Sequence, residues 1–167
     1  MAIVTGSAQG LGRAITLTLA QQGAKVVVCD LNLEKLNAVV KEIESQGQQA
    51  IAVKADISKK QDVERIVNLA ISQFGQIDIL INCAGICPRT PILEITEEEW
   101  DRVFAVNMKG TFLCSQAVFR EMVKRKSGKI VNISSSAAKN GGIAVGAHYS
   151  ASKAGVICFT KSLALAA

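Results

Sequence analysis

Tyr149 and Lys153 are the residues of this chain whose types and spacing best suit proton chemistry. They stand four positions apart in a segment, 148–155, that reads as helix, so both side chains fall on one face. A free phenol, with a reference pKa of about 10, is a poor proton shuttle at pH 7. A neighbouring ammonium favours the phenolate and turns such a group into a usable acid and base. The same spacing also describes a surface tyrosine beside a solvated lysine. The elements that would position the pair must supply the case.

Gly6, Gly10 and Gly12 lie between a short apolar run at residues 2–5 and a helical pattern whose stripe reads Leu11, Ile15 and Leu19, closed by Gly23. Glycines at a strand–turn–helix junction let the backbone approach a pyrophosphate, and the helix N-terminus adds free N–H groups and a favourable dipole. The spacing Gly-x-x-x-Gly-x-Gly differs from the commoner Gly-x-Gly-x-x-Gly fingerprint. Asp30 ends the second strand pattern, where a carboxylate binds the adenosine ribose hydroxyls and repels a 2′-phosphate. Neither Gln9 nor Leu31 is a cation that could neutralise such a phosphate. NAD is therefore favoured over NADP.

The elements behind these residues alternate. Strand patterns at 2–5, 25–30, 50–56, within 77–85 and at 129–134 are separated by helical patterns at 32–46, 59–74 and 96–126, with a break near Asn107. Thr96 with Glu99 fits a capping box. A Gly-rich loop then leads to a last helix starting near Tyr149. Strands and helices in alternation form βαβ units and a parallel sheet covered on both faces. The fold class is α/β.

Composition agrees. The chain has 167 residues, one domain's worth, with 49% hydrophobic and 20% charged residues. Aromatics make up only 4%, so the core is aliphatic, which suits buried parallel strands. The net charge of +5 is spread out, with one short cluster at Lys124, Arg125 and Lys126, and gives no nucleic-acid groove. Five cysteines without a Cys-x-x-Cys pair, and one histidine, argue against zinc or a disulfide framework. Reduced thiols in a cytoplasmic protein are expected. No apolar run reaches membrane-spanning length and no signal-peptide pattern opens the chain, so no membrane partner is expected.

With these motifs in order, the chain resembles the short-chain dehydrogenases/reductases of the single-domain type. The matching residues are the 5–12 loop, Asp56 with Ile57, the Asn82, Cys83, Ala84, Gly85 run, Asn107, the run from Asn132 through Ser135, and Tyr149 with Lys153. The resemblance implies a doubly wound (Rossmann) sheet over residues 1–167 and a small alcohol or ketone substrate. It gives Tyr149 the role of general acid/base, with Lys153 assisting and binding the nicotinamide ribose. Asn107 would hold a water that relays protons to Lys153. The cofactor set would be Gly6, Gln9, Gly10, Leu11, Gly12, Asp30, Leu31, Asp56, Ile57, Asn82, Ala84 and Gly85, together with Tyr149 and Lys153. Assembly as a dimer or tetramer in the full-length protein is implied as well.

The sequence departs from the family in three respects. Cys83 replaces a usual asparagine, with little effect expected. The catalytic serine is Ser135 when counted from the fifth strand and Ser136 when counted back from Tyr149; strand register selects Ser135. The chain also stops at Ala167, where the family continues with a strand, a substrate-covering helix and loop, and a final strand. An incomplete domain with missing C-terminal strands is expected, with an exposed sheet edge that invites aggregation. The function expected is an NAD-dependent interconversion of a secondary alcohol and a ketone. The alternatives are an NADPH-dependent 3-oxoacyl thioester reductase and a nucleotide-binding module without turnover.

Overall fold

Val26, Val27 and Val28 have no solvent exposure, as a strand inside a two-faced parallel sheet requires. In the computed structural model, which describes residues 1–167, they form β2 (Val26–Asp30). The other strands are β1 (Ala2–Thr5), β3 (Ala50–Lys54), β4 (Ile79–Asn82) and β5 (Lys129–Asn132). All pair in parallel, in the order β3-β2-β1-β4-β5. The doubly wound expectation is met. The helices are α1 (Gly10–Gln21), α2 (Leu33–Ser45), α3 (Lys60–Phe74), α4 (Glu97–Phe104), α5 (Thr111–Arg125), α6 (Ala137–Asn140) and α7 (Ala147–Leu165).

Alternate strand residues feed two cores. Ile3, Val27 and Leu80 pack with Val63, Ile66, Val118 and Met122 from α3 and α5. Val4, Val26, Val28 and Ile81 pack with Leu36, Val39 and Ile43 of α2 on the other face. Register then brings the strand ends level. Thr5 pairs with Cys29 and with Asn82, and Asn82 pairs with Asn132. The loops that follow β1, β4 and β5 therefore open on one rim. Strand order reverses between β1 and β4, and such a switch point is where open α/β sheets hold ligands.

Several boundaries differ from the sequence reading. The strand expected at 129–134 stops at Asn132, and the one expected at 50–56 stops at Lys54. Of the expected α1 stripe, Ile15 and Leu19 pack partly buried against the second core, whereas Leu11 is 57% exposed and the fully buried positions are Gly12, Thr16 and Ala20. Small residues at those fully buried positions let α1 approach the sheet closely. The break near Asn107 is a stretch of π-helix, Ala105–Gly110, joining α4 to α5. Helix α7 starts at Ala147, two residues early, and the Gly-rich loop contains the short α6. β5 is an edge strand with Val131 exposed.

Candidate active site

A cleft of about 610 Å³ runs along the rim over β1 and β4. Gly6, Gln9, Gly10, Leu11, Gly12, Asp30, Leu31, Asp56, Ile57, Ala84, Gly85, Tyr149 and Lys153 all line it. Three predicted residues do not. Asn82 is buried behind the wall, donating from Nδ2 to Ser115 Oγ (2.9 Å) and Asn132 Oδ1 (2.8 Å) and tying β4 to α5 and β5. Asn107 is fully buried as well, and Ser135 lies outside the lining.

The glycines do different work. A Cβ on Gly12 would lie 2.1 Å from the Gly6 carbonyl oxygen, and one on Gly6 would lie 2.6 Å from Ala84 Cα. These two are fixed by the packing of the loop on itself and on the turn after β4. Gly10 has φ +56, and a Cβ there would meet nothing within 4 Å, so it leaves the space above α1 open. No side chain caps α1, which leaves its first-turn N–H groups without a side-chain acceptor.

Asp30 is held by two backbone donors, Ala8 N to Oδ2 (3.3 Å) and Asn32 N to Oδ1 (3.2 Å). Each oxygen keeps a further lone pair, the number a ribose diol needs. On the same rim Lys35 Nζ donates to Gln9 Oε1 at 2.6 Å. Positions 9 and 31 hold no cation themselves, but one helical turn beyond the Asn32 cap brings Lys35 to Gln9. Asp56 Oδ1 accepts from Ser58 N and Oγ, and Ile57 packs its side chain against Gly110.

At the other end Lys153 is 5% exposed. Its Nζ donates to the Ile133 carbonyl at 2.8 Å, and it takes part in no ion pair. Burial pushes its ammonium below the ordinary lysine value, an effect that the nearby thiols of Cys83 and Cys87 oppose. Burial raises the Cys83 thiol, against the pull of Lys153. A buried cation without a counter-ion costs stability and marks functional sites. Lys153→Met is accordingly expected to raise stability near neutral pH by on the order of 1 kcal/mol, about 2–4 °C in Tm, after the loss of the Ile133 bond. The sign follows from linkage. An unfolded lysine titrates near 10.4 and the folded one below that, so wild-type stability rises with pH between the two values. The advantage of the methionine must shrink over that window in thermal scans at increasing pH; a destabilised Lys153→Met protein at pH 7 would contradict the buried-charge account.

Asn107 uses both amide hydrogens, on Ile86 O (2.9 Å) and Ser152 Oγ (3.0 Å), and its Oδ1 accepts from Ile86 N at 2.8 Å. It clamps the turn after β4, and a Cβ on Gly85 would lie 3.2 Å from its Oδ1 and 3.4 Å from Lys153 Nζ. Of the three serines, Ser134 lines the cleft with Oγ donating to the Lys153 carbonyl at 2.8 Å. Ser135 Oγ accepts from Ala137 N at 3.2 Å, and Ser136 is exposed. Because β5 ends before them, strand alternation does not choose among the three.

This layout matches a known family. The sequence profile described as short chain dehydrogenase matches residues 1–167. The chain belongs to the short-chain dehydrogenase family. A hydroxy(phenyl)methylsuccinyl-CoA dehydrogenase subunit from Thauera aromatica is 44% identical over 165 residues, 99% of this chain and 66% of that protein. A 3-oxoacyl-(acyl-carrier-protein) reductase from a Synechocystis species is 43% identical over 98% of this chain and 66% of its own length. Among solved structures, a metagenomic short-chain oxidoreductase in complex with NADP superposes with a TM-score of 0.90 at 37% identity, over 97% of this chain and 72% of that one. This short-chain dehydrogenase sequence thus spans about two thirds of the length of the curated relatives it matches.

Two further residues beside the site are not apparent from the sequence. His148 has no solvent exposure, and its Nε2 lies 2.7 Å from Glu99 Oε1. The available signal is position: the chain's single histidine directly precedes its single tyrosine.

Proposed function

We propose that this short-chain dehydrogenase interconverts a secondary alcohol and a ketone, with NAD as the preferred cofactor. The observation that carries the reading is the buried, uncompensated Lys153 one helical turn from Tyr149 at the floor of a glycine-rimmed cleft. When bound, the cofactor donates or accepts the hydride at its nicotinamide ring. The residues present fit it: free first-turn N–H groups on α1 for the pyrophosphate, open space above Gly10, and vacant lone pairs on Asp30 for the ribose.

The chain's own groups do the rest. Tyr149 gives a proton to the carbonyl oxygen in reduction and takes it back in oxidation, and the Lys153 ammonium stabilises the phenolate left behind. Ser135 is assigned the substrate oxygen by its place in the family's motif. Asn107 fixes Ile86 and with it the turn after β4. Five unpaired thiols support a cytoplasmic setting. The exposed Phe112, edge-on to Phe159 at 6.1 Å between α5 and α7, supports a homo-oligomer formed through those helices.

Asp30→Ala tests the cofactor assignment. The loss of two charge-assisted bonds is expected to weaken NAD by about 10–100-fold in calorimetry and NADP much less. Equal losses for the two cofactors would remove the basis for choosing NAD. A second reading, an NADPH-dependent 3-oxoacyl thioester reductase, is supported by Lys35 at the adenosine rim and by two relatives named for acyl-CoA and acyl-carrier substrates.

A further inference from the structure

Glu99 stands three residues after Thr96, which caps α4 by accepting Glu99 N at 3.2 Å. In a full capping box the Glu carboxylate turns back to the N–H of the cap. Here Oε1 instead accepts the Thr90 hydroxyl at 2.6 Å and meets His148 Nε2 at 2.7 Å. A carboxylate only accepts, so Nε2 carries the proton. These two bonds, Thr90 first, hold the Glu99 carboxyl below the usual range.

His148 has no solvent exposure, and its Nδ1 is buried without a partner. The ring stacks on Trp100 at 6.4 Å and lies so close to Gly146 that a Cβ there would come within 2.2 Å of Cε1. Burying a half-satisfied imidazole costs stability, so the packing around it holds the ring in one place. The start of α7 has no side-chain cap of its own, and Gly146 N donates to Pro88 O at 2.9 Å. The loop after β4 therefore grips the first turn of α7 twice, at Pro88 and through Thr90, Glu99 and His148. Tyr149 is the next residue.

We propose that Thr90, Glu99 and His148 form a positioning clamp that fixes the Tyr149 phenol relative to the 86–96 loop, so that the loop and the phenol move as one body. His148 and Glu99 are positioning residues, and their catalytic consequence rests on the reading of Tyr149 as the proton donor.

Tyr149 is the chain's only tyrosine, so ring-labelled tyrosine gives one NMR signal set that reports on it alone. Glu99→Ala is expected to shift and broaden that set, and Glu99→Gln, which keeps an accepting oxygen, to restore it. Calorimetric NADH affinity should stay within about twofold while kcat falls about 10–100-fold with little change in KM, the signature of misplacement. Thr90→Val removes one hydroxyl and should give a smaller shift in the same direction, even if Glu99→Ala proves unstable. An unchanged tyrosine signal in a folded Glu99→Ala or Thr90→Val protein overturns the clamp. A moved signal together with full turnover by Tyr149→Phe keeps the clamp and rejects the proton-donor reading instead.

Discussion

Tyr149→Phe is expected to lower kcat by about 10²–10⁴-fold, the usual contribution of a positioned acid or base. The ring, its packing and the helix are retained; only the hydroxyl is lost. Because Lys153 is held by the Ile133 carbonyl and Asn107 by Ile86 and Ser152, the rest of the site has no reason to shift. NADH affinity should fall far less than kcat, which makes the loss mainly one of transition-state binding. The serines supply the companion result. Ser135→Ala should slow turnover, whereas Ser136→Ala, the exposed one of the two, should not. Turnover retained by Tyr149→Phe would mean that another group moves the proton.

Gly12→Ala carries the second large effect, on binding and stability together. The new Cβ would sit 2.1 Å from the Gly6 carbonyl oxygen and 2.8 Å from its carbon, backbone atoms that no rotamer change can move. Gly6 is in turn pressed against Ala84, so relief of the clash spreads to the turn after β4. A loss of about 3 kcal/mol in denaturant unfolding is expected, at the upper end for overpacking. NADH binding should fall below detection. Gly10→Ala is the contrast: its Cβ meets nothing, and the residue bears only the strain of φ +56, about 1–2 kcal/mol. It should fold with modest loss and still bind weakly. Equal stability of Gly12→Ala and wild type would show that the loop is looser than its contacts require.

Much of this layout is legible in the sequence because it follows from periodicity and punctuation. The valines of β2, the helices ended near Gly23, Gly47 and Gly75, and the Thr96 cap are local features. The rim follows from them, since parallel register brings the loops after β1, β4 and β5 to one side. What is not legible is contact between segments distant in sequence. Asn82 resembles a cleft residue in its motif, yet its side chain is drawn behind the sheet by Ser115 and Asn132. Leu11 has the position of a core residue in a 3.6 pattern but is exposed, while Ile15 and Leu19 of the same stripe pack against the core beside the fully buried Gly12, Thr16 and Ala20. Glu99 reads as half of a capping box, and only the fold shows its carboxylate turned toward His148, 49 residues on. Ser134 to Ser136 lie past the end of β5, beyond the reach of the strand alternation that would separate them.

The proposed function requires that hydride pass directly between the nicotinamide and a carbonyl carbon while Tyr149 supplies the proton. NADH deuterated at the transferable C4 position, incubated with the protein and a panel of ketones, tests it by mass spectrometry of the alcohol. One deuterium on the carbinol carbon, with labelled alcohol forming about 10²–10⁴-fold more slowly in Tyr149→Phe, is the predicted result. Carbinol hydrogen drawn from solvent, or no alcohol from wild-type protein that binds NADH, would contradict it.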